Sequence, residues 1–176
     1  MKLQGKRIAI LVEKFYHEIE FFVPYYRLLE EGAIIDIIGI NEKKTYKGKI
    51  GELIVNVDKD ISEISSSDYD GVIIPGGYSP EYLRVSDKII QFIQNINSEN
   101  KLVAAICHGG WVISSSKIIK DRMVTCHPYI RHDLINAGGI YIDENVVIDN
   151  NLITSRLPND LPFFNREIIK YLLKQN

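Results

Sequence analysis

One stretch constrains this chain more than any other: Lys101 to Trp111, KLVAAICHGGW. Leu102 to Ile106 is an unbroken apolar run with the length of a buried strand. It stops at Cys107-His108, and Gly109-Gly110 follow. Ala105-Ile106-Cys107-His108-Gly109 reads small-x-nucleophile-x-small, the steric pattern of a nucleophile elbow. In an elbow a strand turns sharply into a helix, and the small residues let the chain fold back without a clash. Trp111 to Ser115 is then expected to begin a helix whose free N–H groups favour negative charge at Cys107. A thiol so placed should lose its proton more readily than free cysteine. The competing reading is a structural cysteine after a core strand. The coincidence of strand, small residues, histidine and paired glycines favours the elbow.

The flanking chain alternates strand and helix patterns. Arg7 to Val12, Ile34 to Ile40 and Tyr69 to Ile74 read as strands, and weaker strand pieces end at Val57. Met123 to Cys126, Ile140 to Ile142, Val146 to Ile148 and Leu152 to Ser155 read as short strands, the last two joined by an Asp149-Asn150-Asn151 turn. Helices are expected over His17 to Glu31, Pro80 to Ile96, Tyr129 to Ala137 and Pro162 to Lys174. On the first, Ile19, Phe22, Val23, Tyr26 and Leu29 fall on one face, and Pro24 should kink the axis. This alternation predicts an α/β sandwich, a mostly parallel sheet with helices on both faces. In such sheets a site lies at the carboxyl ends of the strands. Three loops leave those ends: after the first strand, at Pro75-Gly76-Gly77, and at Cys107-His108.

A chain of 176 residues suits one domain spanning 1–176. Its net charge of −2 gives no electrostatic case for nucleic acid or an anionic membrane as a partner. No apolar run approaches a membrane span. The opening MKLQGKR leads straight into a strand and lacks a signal-peptide pattern, so a cytoplasmic location is expected. There Cys107 and Cys126 should be free thiols.

Cys107 is the candidate nucleophile. His108 is the candidate base, although adjacent residues rarely face each other and it then needs an orienting acid. The N–H groups of Gly77 and His108 could form an oxyanion hole beside the thiol, with a plain turn as the competing reading. Gly76 allows close backbone approach at the same loop. Periodicity alone makes Glu20 a solvated surface residue, and it places Asp87, Asp133 and Asp143 at surface or capping positions. His17, His127 and His132 with the cysteines show no structural-zinc spacing, so no metal is expected. There is no G-x-G-x-x-G after the first strand and no phosphate loop, so no cofactor is called for.

Glu20 with PYYRLLEEG from Pro24, Ile74-Pro75-Gly76-Gly77 with Ser79-Pro80-Glu81, and Ala105-Ile106-Cys107-His108-Gly109 form a recognisable set. His127-Pro128, Asp133 with Ile135-Asn136-Ala137-Gly138, and Ser155-Arg156-x-Pro158-x-Asp160-Leu161 extend it. The sequence resembles the ThiJ/PfpI superfamily over nearly its whole length, most closely the PfpI-type intracellular cysteine peptidase branch. The resemblance implies a flavodoxin-like three-layer sandwich of the class I glutamine amidotransferase type, with a reactive cysteine on the elbow. It implies that Glu20 touches Cys107, and that Glu81 from a neighbouring subunit completes a Cys-His-Glu triad with Cys107 and His108. It implies a cysteine-dependent hydrolase acting on peptides or on reactive carbonyl (glyoxal) adducts. The alternative is a non-enzymatic redox sensor or chaperone that uses Cys107 oxidation. Gly76 and His127 are then expected beside the substrate. The chain departs from the pattern at His17, where many members of the branch have a second Glu, and at Lys117 and Asp121, which replace common glycines. Pro80 should start a helix that carries Glu81 away from its own His108, so a homo-oligomer is expected, at least a dimer and up to a hexameric ring.

Overall fold

The computed structural model describes residues 1–40, 45–51 and 53–175. Its strands, in chain order, are β1 (Arg7–Leu11), β2 (Ile34–Gly39), β3 (Thr45–Lys47), β4 (Ile54–Asn56), β5 (Lys59–Asp60), β6 (Gly71–Ile74), β7 (Leu102–Ile106), β8 (Met123–Val124), β9 (Ile140–Tyr141), β10 (Val146–Asp149) and β11 (Leu152–Ser155). The helices are α1 (Glu18–Glu30), α2 (Ser79–Leu83), α3 (Asp87–Ser98), α4 (Gly110–Ser115), α5 (Arg131–Asn136) and α6 (Leu161–Lys174). A seven-stranded sheet runs in the order β10-β11-β7-β6-β1-β2-β5. Its pairings are parallel except the β10–β11 hairpin, which turns at Asn150 with φ +53°.

Strand side chains alternate between two cores, as the two-residue period requires. On one face Ala9, Leu11, Val72, Ile74, Val103 and Ala105 pack with Ile89, Phe92 and Ile93 of α3, Val112 of α4 and Leu134 of α5. On the other, Ile8, Ile10, Ile73, Ala104 and Ile106 pack with Phe21 and Leu28 of α1 and Phe164, Ile168 and Leu172 of α6. The predicted three-layer sandwich is therefore the observed fold. The chain moves from β1 outward to β2 on one side and returns to β6 on the other, so the strand order reverses at β1/β6. Such a reversal opens a crevice at the strands' carboxyl ends.

Three local expectations need correction. The stripe Ile19, Val23, Tyr26 and Leu29 faces outward, with Tyr26 62% exposed, while Glu20, Phe21, Pro24 and Leu28 are buried. Helix α1 is apolar on two sides, and the larger apolar stripe is not the one the sheet accepts. The helix expected over Pro80 to Ile96 is two helices, α2 and α3, because the backbone turns extended at Ser86, the residue before α3. Strands β8 and β9 form a separate parallel pair outside the main sheet.

Candidate active site

Cys107 follows β7 directly and holds φ +59°, the left-handed region that a cysteine enters at a cost of about 1–3 kcal/mol. The elbow begins as one 3-10 turn, Cys107–Gly109, before α4 starts at Gly110, one residue earlier than the sequence suggested. Gly109 lies against the Ile74 carbonyl, where a side chain would clash. This is the close approach that small residues around the nucleophile allow. Lys117 and Asp121 also hold left-handed dihedrals, φ +58° and +60°. Glycine would adopt these without strain.

The Cys107 Sγ lies 3.2 Å from Nδ1 of His108, so the adjacent pair does meet. Cys107 is 6% exposed and Glu20 is 0% exposed. Glu20 lies close to the Cys107 side chain, and its Oε2 accepts from the Gly76 N–H at 2.8 Å. Periodicity thus misplaced Glu20, which is buried with Oε2 on the Gly76 N–H and Oε1 without a hydrogen-bond partner among the described residues. Gly76 sits behind the sulfur and does not line the cavity in front of it. A Cβ there would stand 2.6 Å from Glu20 Oε2 and 2.8 Å from Cys107 Cβ, so any side chain would separate the pair. The N–H groups of His108 and Gly77 both act on the sulfur and favour its charged form. The two expected oxyanion donors therefore converge on the reacting atom.

Burial pushes Glu20 up to about 7 against the opposing pulls of the Gly76 N–H, the Cys107 hydrogen bond and the charge of Lys49. Burial first, then the Glu20 charge, pushes the Cys107 thiol up, while the His108 and Gly77 N–H groups pull it down. Desolvation thus opposes the easily ionised thiol expected from the helix terminus. The two groups are coupled through the thiol proton. Moving it from sulfur to Glu20 removes the carboxylate charge that raises the thiol, and leaves an acid donating to a thiolate.

This pair sets a stability test. The Glu20 value of about 7 stands above the ordinary 4.5, so its contribution is fully present below about 4.5 and is lost as pH rises through 7. Glu20→Gln keeps an acceptor for Gly76 and cannot ionise. It is expected to gain about 3 kcal/mol over wild type at pH 8.5 and little at pH 4, read by urea unfolding. Equal effects at both pH values would contradict a buried, neutral-preferring Glu20.

The cavity before Cys107 holds about 370 Å³ and is lined by His17, Glu20, Lys49, Gly77, Tyr78, Cys107, His108, His127, Tyr129, Leu157 and Pro158. Its aromatic wall is continuous: the His108 ring lies 4.8 Å from His127, which lies 4.7 Å from Tyr129, and Trp111 packs 5.0 Å from His108 outside the lining. Burial lowers His108 to about 4 and also lowers His127 and His17, so at neutral pH these rings are neutral and able to accept a proton. No carboxylate among the described residues contacts the His108 ring. Glu81 is exposed in the first turn of α2, makes no side-chain hydrogen bond or ion pair with the described residues, and does not line the cavity. Asp133 accepts from Trp111 Nε1 at 2.7 Å, and Asp143 pairs with Arg156 at 2.8 Å. Both cysteines are free, and Cys126 is fully buried. No cluster of His, Cys, Asp or Glu among the described residues could hold a metal ion.

Sequence reasoning missed Lys49, Tyr129 and Leu157, and it gave Tyr78 and Pro158 no place in the cavity. Tyr78 and Leu157 lie inside the quoted stretches 74–81 and 155–161, and Tyr129 directly follows His127-Pro128, so a search within and beside those motifs would have found them. Lys49 lay in a turn that carried only the signal of its two glycines, Gly48 and Gly51.

A doubly flanked parallel sheet with a strained cysteine on a strand-to-helix elbow, paired with a buried carboxyl group, defines a cysteine-elbow α/β protein. The chain belongs to the DJ-1/PfpI family, whose sequence pattern it matches over residues 6–171. It is 41% identical over 168 residues to the putative cysteine protease YraA of Bacillus subtilis, covering 96% of this chain and 99% of that one. It is 38% identical over 169 residues to protein/nucleic acid deglycase 2 of Escherichia coli, covering 96% and 98%. A solved two-domain protein of Anabaena variabilis, with a DJ-1/ThiJ/PfpI-like and a ferritin-like domain, superposes with a TM-score of 0.93 at 37% identity. That match covers 96% of this chain and 48% of the larger protein. Among the described residues no helix is long and apolar enough to cross a membrane.

Proposed function

We propose that this chain is a cofactor-independent cysteine hydrolase that acts on small adducts of reactive carbonyls, with Cys107 as nucleophile. The position of Cys107 carries the reading. It is 6% exposed, held at φ +59°, and closes the floor of a cavity of about 370 Å³. A pocket of this size takes a small acyl or carbonyl group with its substituent rather than an extended peptide. The relatives named as a putative cysteine protease and a deglycase support a hydrolase or deglycase at the level of the family.

For an acyl substrate the steps balance as follows. The thiol proton passes to Glu20 or His108, and the sulfur forms a bond to the carbonyl carbon. The carbonyl electron pair moves to oxygen, where N–H groups of Gly77 and His108 can donate. The amine or thiol departs with the proton just stored. Water, deprotonated by neutral His108, then cleaves the C–S bond, releases the acid and restores Cys107.

Peptide hydrolysis is the second reading, favoured by the outward position of Glu81. His108 needs an orienting acid, and in a homodimer Glu81 of a second copy would supply it. The test is turnover of matched peptide and carbonyl-adduct substrates in one buffer. Adduct turnover above peptide turnover is expected. Stoichiometric loss of Cys107 thiol to oxidant, with no turnover of either substrate, would support a redox sensor instead.

A further inference from the structure

Lys49 reaches the cavity by a built route. Gly48, before it, lies so close to the Glu18 carboxylate that a side chain there would clash. Glu18 is 3% exposed, and its Oε1 accepts from the N–H groups of Ile50 at 2.9 Å and Gly51 at 3.1 Å. The carboxylate thus packs against the residue before Lys49 and hydrogen-bonds the two after it. Residues 15–17 then tie this turn to the Gly77 loop. On one side the Phe15 N–H donates to the Lys47 carbonyl and the Lys49 N–H to the Tyr16 carbonyl. On the other the His17 N–H donates to the Gly76 carbonyl and the Tyr78 N–H to the Phe15 carbonyl. Lys49 is therefore held in register with an oxyanion donor, although the two are far apart in sequence.

The Lys49 ammonium has no carboxylate partner among the described residues. It lies 5.3 Å from the centre of the Tyr78 ring and lines the same cavity as Cys107. The other titratable groups facing that cavity are His17, His108 and His127, neutral at pH 7, the two tyrosines, and Glu20, which is buried beneath the sulfur. A cation held at the rim with nothing opposing it in the open cavity selects for a negative group on what enters.

We propose that Lys49 is the anion anchor of this site, so that the preferred substrates carry a carboxylate beside the carbon that Cys107 attacks, with Glu18 positioning Lys49. The inference rests on Cys107 being the reactive group of the cavity, and it can be tested without any turnover. The probes are iodoacetate and iodoacetamide, which differ in carrying a carboxylate or a neutral amide. In each, the Cys107 sulfur bonds the methylene carbon and iodide leaves. The ratio of the two rates at Cys107 cancels any change in thiolate population, because both reagents meet the same thiolate.

Alkylation of Cys107 in the folded protein, followed by peptide mass mapping, reads the ratio. Lys49→Met is expected to lower the iodoacetate-to-iodoacetamide ratio about tenfold, and Lys49→Arg to keep it within about threefold of wild type. Raising salt should shrink the wild-type ratio toward that of Lys49→Met. An unchanged ratio in Lys49→Met would overturn the anchor while leaving the nucleophile reading intact. The expected ratios in a protein that turns over no substrate would uphold the anchor and count against the hydrolase.

Discussion

Cys107→Ser is expected to lower turnover of carbonyl-adduct substrates by at least about 10³-fold and to leave the fold in place. Losing a nucleophile leaves only what binding and the oxyanion donors supply, and those account for a small part of an enzyme's acceleration. Serine is nearly isosteric with cysteine, and the Gly77 and His108 N–H groups can still donate to its oxygen. Unfolding free energy should therefore stay within about 1 kcal/mol of wild type. The hydroxyl is a far weaker nucleophile at neutral pH than the thiol it replaces. Retained turnover in a folded Cys107→Ser protein would remove the thiol from the chemistry.

The second large effect concerns assembly. Glu81→Ala is expected to lower turnover by about 10²-fold, although Glu81 touches nothing in its own cavity. Mixing inactive Cys107→Ser with inactive Glu81→Ala subunits should then restore about a quarter of wild-type activity in a dimer. Random pairing makes half the dimers mixed, and each mixed dimer holds one complete site of two. The outward apolar stripe of α1, from Ile19 to Leu29, offers a further surface for contact between copies. A fully active monomer by light scattering, or no recovery on mixing, would leave Glu81 as an ordinary first-turn acid that complements the α2 dipole.

The elbow was legible because its constraint is local: an apolar strand, a cysteine and small residues at fixed offsets leave few backbone solutions. The sheet was legible because its strands are short apolar runs, and the two-core alternation follows from their period. Glu20 could not be read from periodicity, since the buried face of α1 is set by which side meets the sheet. That choice depends on Gly76 and Cys107, both remote in sequence. The thiol direction was misjudged for a related reason. Helix-terminus effects are visible along the chain, whereas desolvation depends on everything packed around the sulfur. Lys49 was invisible because its position comes from Glu18 and from the 15–17 backbone, which no motif encodes. The break between α2 and α3 was readable at Ser86, a residue type that favours helix starts, but the apolar pattern runs through it.

The most direct measurement of the nucleophile is the mass of the protein caught in turnover. Wild type mixed with an acyl or carbonyl-adduct substrate, quenched in acid within its first turnovers and digested, should carry the substrate's acyl mass on the peptide containing Cys107. Cys126, fully buried and not part of the cavity lining, should stay unmodified. The Cys107→Ser protein, treated the same way, should show no acyl-thioester mass. An adduct confined to Cys126, or steady turnover in wild type with no mass on Cys107 at any quench time, would contradict Cys107 as the covalent nucleophile.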